Sequence, residues 1–172
     1  MQLRVSQYDP ARRTPQGHPP ADDWTPPWWD TRTTLGARMG TWAEYGRVED
    51  AYVESVVRLM AACGVEALRM DDLVYGHLDY DVFGRPEIQP AGEMDDGFWF
   101  AGQELLKVIR LVLAKLIWCR LSGRDGFYVH FSFQHDYSMY IGCDRDVAVP
   151  ALPAGIYAES MPPPNPDASF PW

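Results

Sequence analysis

The chain has 172 residues, 47% of them apolar and 13% aromatic, and its 24 acids against 15 lysines and arginines give a formal net charge of −9. That length fits one domain over residues 1–172 that buries a core without metal or disulfide staples. The acidic balance excludes a binder of phosphate backbones, and favours solubility and the attraction of basic partners.

The three cysteines, Cys63, Cys119 and Cys143, are odd in number and none pair at metal-ligand spacing. This predicts a reducing compartment, the cytoplasm, and no disulfide framework. Residues 1–10 lack the apolar stretch of a secretion signal. The greasiest run, Val108 to Cys119, is interrupted by Lys115 and hemmed by Arg110 and Arg120, so it is too short and too charged for a bilayer span.

Leu3 to Tyr8 alternates apolar and polar residues and predicts a first strand ended by Asp9-Pro10. Residues 10–40 are rich in proline, show no period and carry Trp24, Trp28 and Trp29. They read as a long ordered loop, since disordered segments are poor in large aromatics; core and interface roles for the three tryptophans both stay open. Thr41-Trp-Ala-Glu44 matches a capping box, and Trp42, Tyr45, Val48, Tyr52, Val56, Leu59 and Cys63 follow at helical spacing, with Gly64 where a terminating glycine belongs. The expected helix is 42–63, weakened in its first turns by Gly46.

Ala67 to Val74 predicts a strand, and 75–96 a polar connection. Between Glu66 and Asp96 nine acids face only Arg69 and Arg85. A second helix is expected over 97–121, opening behind Asp95-Asp96, where carboxylates favour a helix N-terminus, and closing at Ser122-Gly123. Its apolar residues, from Leu105 to Trp118, cover more than one stripe, which predicts a buried spine. Phe127, Val129, Phe131 and Phe133 then alternate with Tyr128, His130 and Ser132. The first set is expected to face the core and the second to face outward, in a hairpin over 127–142 that turns at Gln134-His-Asp136 and returns along Tyr137 to Ile141. Ile156 to Ala158 suggests a last strand before a proline-rich tail, 161–172. The fold class is α+β: a small, mainly antiparallel sheet packed on two main helices, 42–63 and 97–121, with the C-terminal β-hairpin 127–142.

Catalytic and metal chemistry find little support in these residues. Asp71-Asp72, Asp79-x-Asp81 and Asp95-Asp96 are paired carboxylates in a region that reads as solvated, and Asp79 to Gly84 begins like a calcium loop but lacks its later ligands. Cys119 falls in the apolar helix, where thiols are inert, whereas Cys143 follows Gly142 at a strand end and reads as more exposed. No phosphate loop or dinucleotide fingerprint occurs. What remains is a binding surface, with Asp71, Asp72, Asp79 and Asp81 to steer a basic partner and Tyr75 and Tyr80 to anchor it, joined by Tyr140 on the hairpin.

The run Phe127-Tyr-Val-His-Phe131, followed by Asp136-Tyr-Ser-Met-Tyr-Ile-Gly142, resembles an aromatic stretch near the C-terminus of small bacterial immunity-type proteins, which are encoded beside polymorphic toxins and contact-dependent effectors. Ile117 to Gly123, Gly155 to Glu159 and Arg47 to Val53 resemble the same group. The resemblance implies a cytoplasmic protein that neutralises a cognate toxin, with no cofactor and no catalytic residue. The inhibition expected is occlusion of the toxin's active site or locking of its conformation, and charge and hydropathy leave neither nucleic acid nor membrane as partner. The chain departs from the group at Phe133-Gln-His135, which makes His135 a candidate for partner specificity. The alternative is a small ligand- or metal-binding domain, or an enzyme, using His130, His135 and Cys143.

Overall fold

The computed structural model describes residues 1–15, 42–75, 94–132 and 138–161. In chain order the elements are β1 (Gln2–Ser6), a short 3-10 turn (Pro10–Arg12), α1 (Trp42–Cys63), β2 (Ala67–Tyr75), β3 (Trp99–Ala101), α2 (Gly102–Leu113), β4 (Ile117–Ser122), β5 (Tyr128–Ser132), β6 (Ser138–Gly142) and β7 (Tyr157–Ser160). The strands form one sheet in the order β3-β2-β4-β5-β6-β1-β7. Every neighbouring pair is antiparallel. The protein is therefore α+β with an antiparallel sheet, as its patterning predicts.

The period-2 alternation of the strands decides which residues reach the core. Leu3 and Val5, Leu68 and Met70, Ile117, Cys119 and Leu121, Val129 and Phe131, and Met139 and Ile141 all point to one face and are buried there. Helices α1 and α2 cover that face, contributing Tyr52, Val56, Leu59 and Met60 from the first and Leu105, Val108, Ile109 and Val112 from the second. The two helices are tied where Arg110 of α2 reaches Glu49 and Asp50 of α1, both at 2.6 Å. Glu49 is almost fully buried and also accepts the Tyr45 hydroxyl at 2.9 Å.

Helix α1 spans the expected residues. It stops because Gly64 turns left-handed at φ +67, which lets the Val65 amide bond back to the Met60 carbonyl at 2.9 Å. Its expected N-cap, Thr41, lies outside the described residues, as do the tryptophan-rich loop from 16 to 41 and the tail from 162.

The expected helix 97–121 is instead three elements, β3, α2 and β4. Two left-handed residues cut it, Gly102 at φ +52 and Lys115 at φ +58. At Lys115 the chain closes α2 with bonds from the Lys115 amide to Val112 and from the Leu116 amide to Leu111, the pattern that glycine usually provides. A lysine carries no breaker signal. The strand after it is half buried and so merges with the apolar run of the helix. The period-2 signature was present in Ile117, Cys119 and Leu121, buried, against Trp118, Arg120 and Ser122.

Strand β2 also departs from regularity. Asp71 pairs with Arg120 and Val74 with Trp118, so three steps on β2 meet two on β4. The extra residue is Asp72, left-handed at φ +58, a bulge that brings Val74 back to the face Asp71 occupies.

Candidate functional site

Two helices cover one face of the sheet, and the other face carries the polar and aromatic alternates of the same strands. Strand pairing places Asp71 beside Arg120, His130 beside Tyr140, Tyr140 beside Arg4 and Arg4 beside Glu159. Extending the Leu121–Val129 pair by one residue sets Arg120 opposite His130. Asp71, Arg120, His130, Tyr140, Arg4 and Glu159 thus form one row across six strands, on the side away from the helices.

At the β2 end of the sheet lie three of the expected contact residues, Asp71 and Asp72 beside Arg120 of this face and Tyr75 opposite Ile117, on the helix side. The Asp71 carboxylate accepts from Arg69 and from the Ser122 hydroxyl, both at 3.1 Å. Asp72 pairs with Arg120 at 2.5 Å. Tyr75 ends β2, is half exposed, and its hydroxyl donates to the Met94 carbonyl at 3.0 Å. These aspartates are thus matched by arginines of their own chain. The Arg120–Asp72 pair is exposed on both sides, so it costs little to exchange for a partner's cation, whereas the Asp71 carboxylate is more covered. Tyr140 shares the face but stands three strands from β2, roughly 14 Å away at the usual strand spacing. Asp79, Tyr80, Asp81 and His135 lie outside the described residues.

Sequence reasoning passed over the aromatics that surround this cluster. Phe98 is 47% exposed, Trp99 55% and Val74 56%, beside Tyr75 at 50%, and all four sit on or next to the β2–β3 edge. Trp99 pairs with Arg69, and Leu73 donates its amide to Asp96 at 2.7 Å, which ties the approach to β3 to this edge. The signal was the Phe-Trp-Phe run behind Gly97, which the helix assignment absorbed. An open groove of about 610 Å³ adjoins Trp99, lined also by Gly64, Val65, Glu66, Ala67 and Arg124.

His130 lies on the expected side of β5 but is buried, not exposed, at 5%. Trp118 packs edge-to-face against its ring, with centroids 5.8 Å apart and planes at 83°. Burial first, and the Arg120 guanidinium second, hold the imidazole down to a pKa of about 4, so it is neutral near pH 7. Next to it Tyr128 lies over Gly142 and donates to the Gln2 side chain, and burial pushes its hydroxyl up to about 12. At the β7 end Arg13 reaches back from the 3-10 turn to Glu159 at 2.8 Å and to Ser6 at 3.3 Å. Burial, and then the neighbouring Arg13, pull the Arg4 guanidinium below its ordinary value.

Cys143 is buried, against expectation, because Cys143 continues the core-facing alternation of Met139 and Ile141. His130 and Cys143 consequently lie on opposite faces of the sheet and do not converge. Burial pushes both the Cys119 and Cys63 thiols up to about 12, which leaves little thiolate at neutral pH. Among the described residues no group of three histidines, cysteines or carboxylates is arranged to hold a metal ion, and no helix is long and apolar enough to cross a membrane.

Comparison of the chain with known protein families, curated protein sequences and solved structures finds no match.

Proposed function

We propose that this chain is an immunity-type protein that binds a cognate bacterial toxin in the cytoplasm and occludes its active site. The observation that carries the reading is the β2–β3 edge. There Val74, Tyr75, Phe98 and Trp99, each about half exposed, are interleaved with Asp71, Asp72, Asp95 and Asp96. Half-exposed aromatics among acids suit the anchoring and steering of a basic protein surface. Isolated apolar residues on a surface are ordinary, but four large half-exposed ones gathered about one edge favour an interaction site. The groove beside Trp99 offers a place for a partner side chain. The resemblance of the 127–142 hairpin to immunity-type proteins points the same way. The rival enzyme or metal reading is weakened by the separation of His130 and Cys143.

The test is co-expression with the neighbouring reading frame, followed by calorimetry on the complex. A stable complex and rescue of growth are expected. Trp99→Ala or Tyr75→Ala should weaken binding by about 2 kcal/mol, some 30-fold, whereas Asp72→Asn should mainly slow association and flatten its salt dependence. Growth rescue with affinity unchanged by both aromatic substitutions would move the interface off this edge. No complex and no toxicity next door would end the immunity reading.

A further inference from the structure

Cys63 is the last residue of α1, and Cys143 follows β6 on the face turned toward that helix. The two are 80 residues apart in the chain, yet their Sγ atoms lie 3.2 Å from one another, and each residue is 1% exposed. A disulfide needs its sulfurs about 2.05 Å apart, so roughly 1 Å of approach separates this contact from a bond, within reach of small side-chain rotations. Both backbones are held in place. The Cys143 carbonyl accepts the N-terminal ammonium of Met1 at 2.9 Å, and the Cys63 carbonyl accepts Arg145 at 3.2 Å. Cys119, on β4, stands two strands from β6, roughly 10 Å or more from Cys143, too far to compete.

We propose that Cys63 and Cys143 are a modification site: under an oxidising thiol pool they join in a single disulfide that ties the end of α1 to the end of β6, while Cys119 stays a thiol. The oxidant is a low-molecular-weight disulfide of the glutathione class. One protein thiolate attacks it, forming a mixed disulfide and releasing one glutathione thiol. The second protein thiolate attacks the protein sulfur of that mixed disulfide and expels the other. Two protein thiols lose two electrons and two protons, and one oxidant disulfide becomes two thiols. Because both cysteines are buried, and burial pushes the Cys63 thiol up, the bond forms as the chain folds or opens locally, and only slowly in the closed protein. The inference is independent of the partner-binding reading.

The full chain is unfolded in urea and refolded in a buffer rich in oxidised glutathione. It is then denatured, alkylated with iodoacetamide and weighed before and after proteolysis. One alkyl group, on Cys119, and a cross-linked peptide pair containing Cys63 and Cys143 are expected. The chain refolded under reductant should carry three alkyl groups. The oxidised form should melt about 5–10 °C higher, because the bond closes a long loop in the unfolded chain. Cys119→Ala should retain the bond and Cys143→Ala should abolish it. Three alkyl groups after oxidative refolding, or a cross-link that includes Cys119, would overturn the proposal, and the wild-type mapping decides even where a variant fails to fold.

Discussion

Acidification should destabilise this protein through His130, by an amount the structure sets. The imidazole is buried beside Trp118 and near Arg120, which lowers its pKa to about 4 from an ordinary value of 6.5. Its folded value is the depressed one, so between pH 6.5 and 4 the unfolded chain binds more protons at this site than the folded chain. Stability supplied here is complete above pH 6.5 and falls as pH drops through the folded value. At pH 5 the unfolded imidazole is ~97% protonated and the folded one ~10%, a loss of about 2 kcal/mol relative to pH 8, rising to about 3 kcal/mol at pH 4. Urea unfolding of wild type and of His130→Gln, measured from pH 8 to pH 4, isolates this contribution, since carboxylate effects common to both proteins cancel. The wild type should lose about 2 kcal/mol more than the variant between pH 8 and 5. Parallel stability curves for the two proteins would refute the account, and an NMR titration placing His130 near 6.5 would show why.

Arg110→Met should destabilise the protein by about 3 kcal/mol in urea unfolding, because it strips the buried Glu49 carboxylate of its arginine and unties α1 from α2. Lys115→Gly should raise stability by about 0.5–1 kcal/mol, since glycine accepts the left-handed turn that ends α2 at lower cost, and a thermal melt shows it as a higher midpoint. Asp72→Val should cost about 1–2 kcal/mol, as a β-branched residue resists φ +58 at the bulge, while Asp72→Gly should be close to neutral. Gly142→Ala should cost about 1–3 kcal/mol, because its methyl would meet the Gln2 and Tyr128 side chains at under 3 Å.

Part of the proposed contact surface was legible in the residues alone. Asp71, Asp72 and Tyr75 could be picked out as a charged and aromatic cluster, and they do share one sheet edge. Their arginine partners could not, because Arg120 lies 48 residues from Asp72 and meets it only through strand pairing. Trp99 and Phe98 were hidden by a helix that the chain does not form. His130 was assigned the correct face but the wrong environment, since alternation tells direction and not what packs beside it.

Periodicity by itself settled α1, the strands β1 and β2, the hairpin and the α+β class. These elements carry their signal locally, in 3.6-residue or two-residue spacing and, for α1, in a terminating glycine. The tertiary structure decided where α2 stops and β4 begins, because a lysine at a left-handed position interrupts the backbone without interrupting the apolar pattern. It also decided that Cys63 touches Cys143 and that His130 and Cys143 are kept apart. Those relations depend on strand order and on which face each alternate residue takes, and both are set by long-range pairing, not by any short stretch of chain.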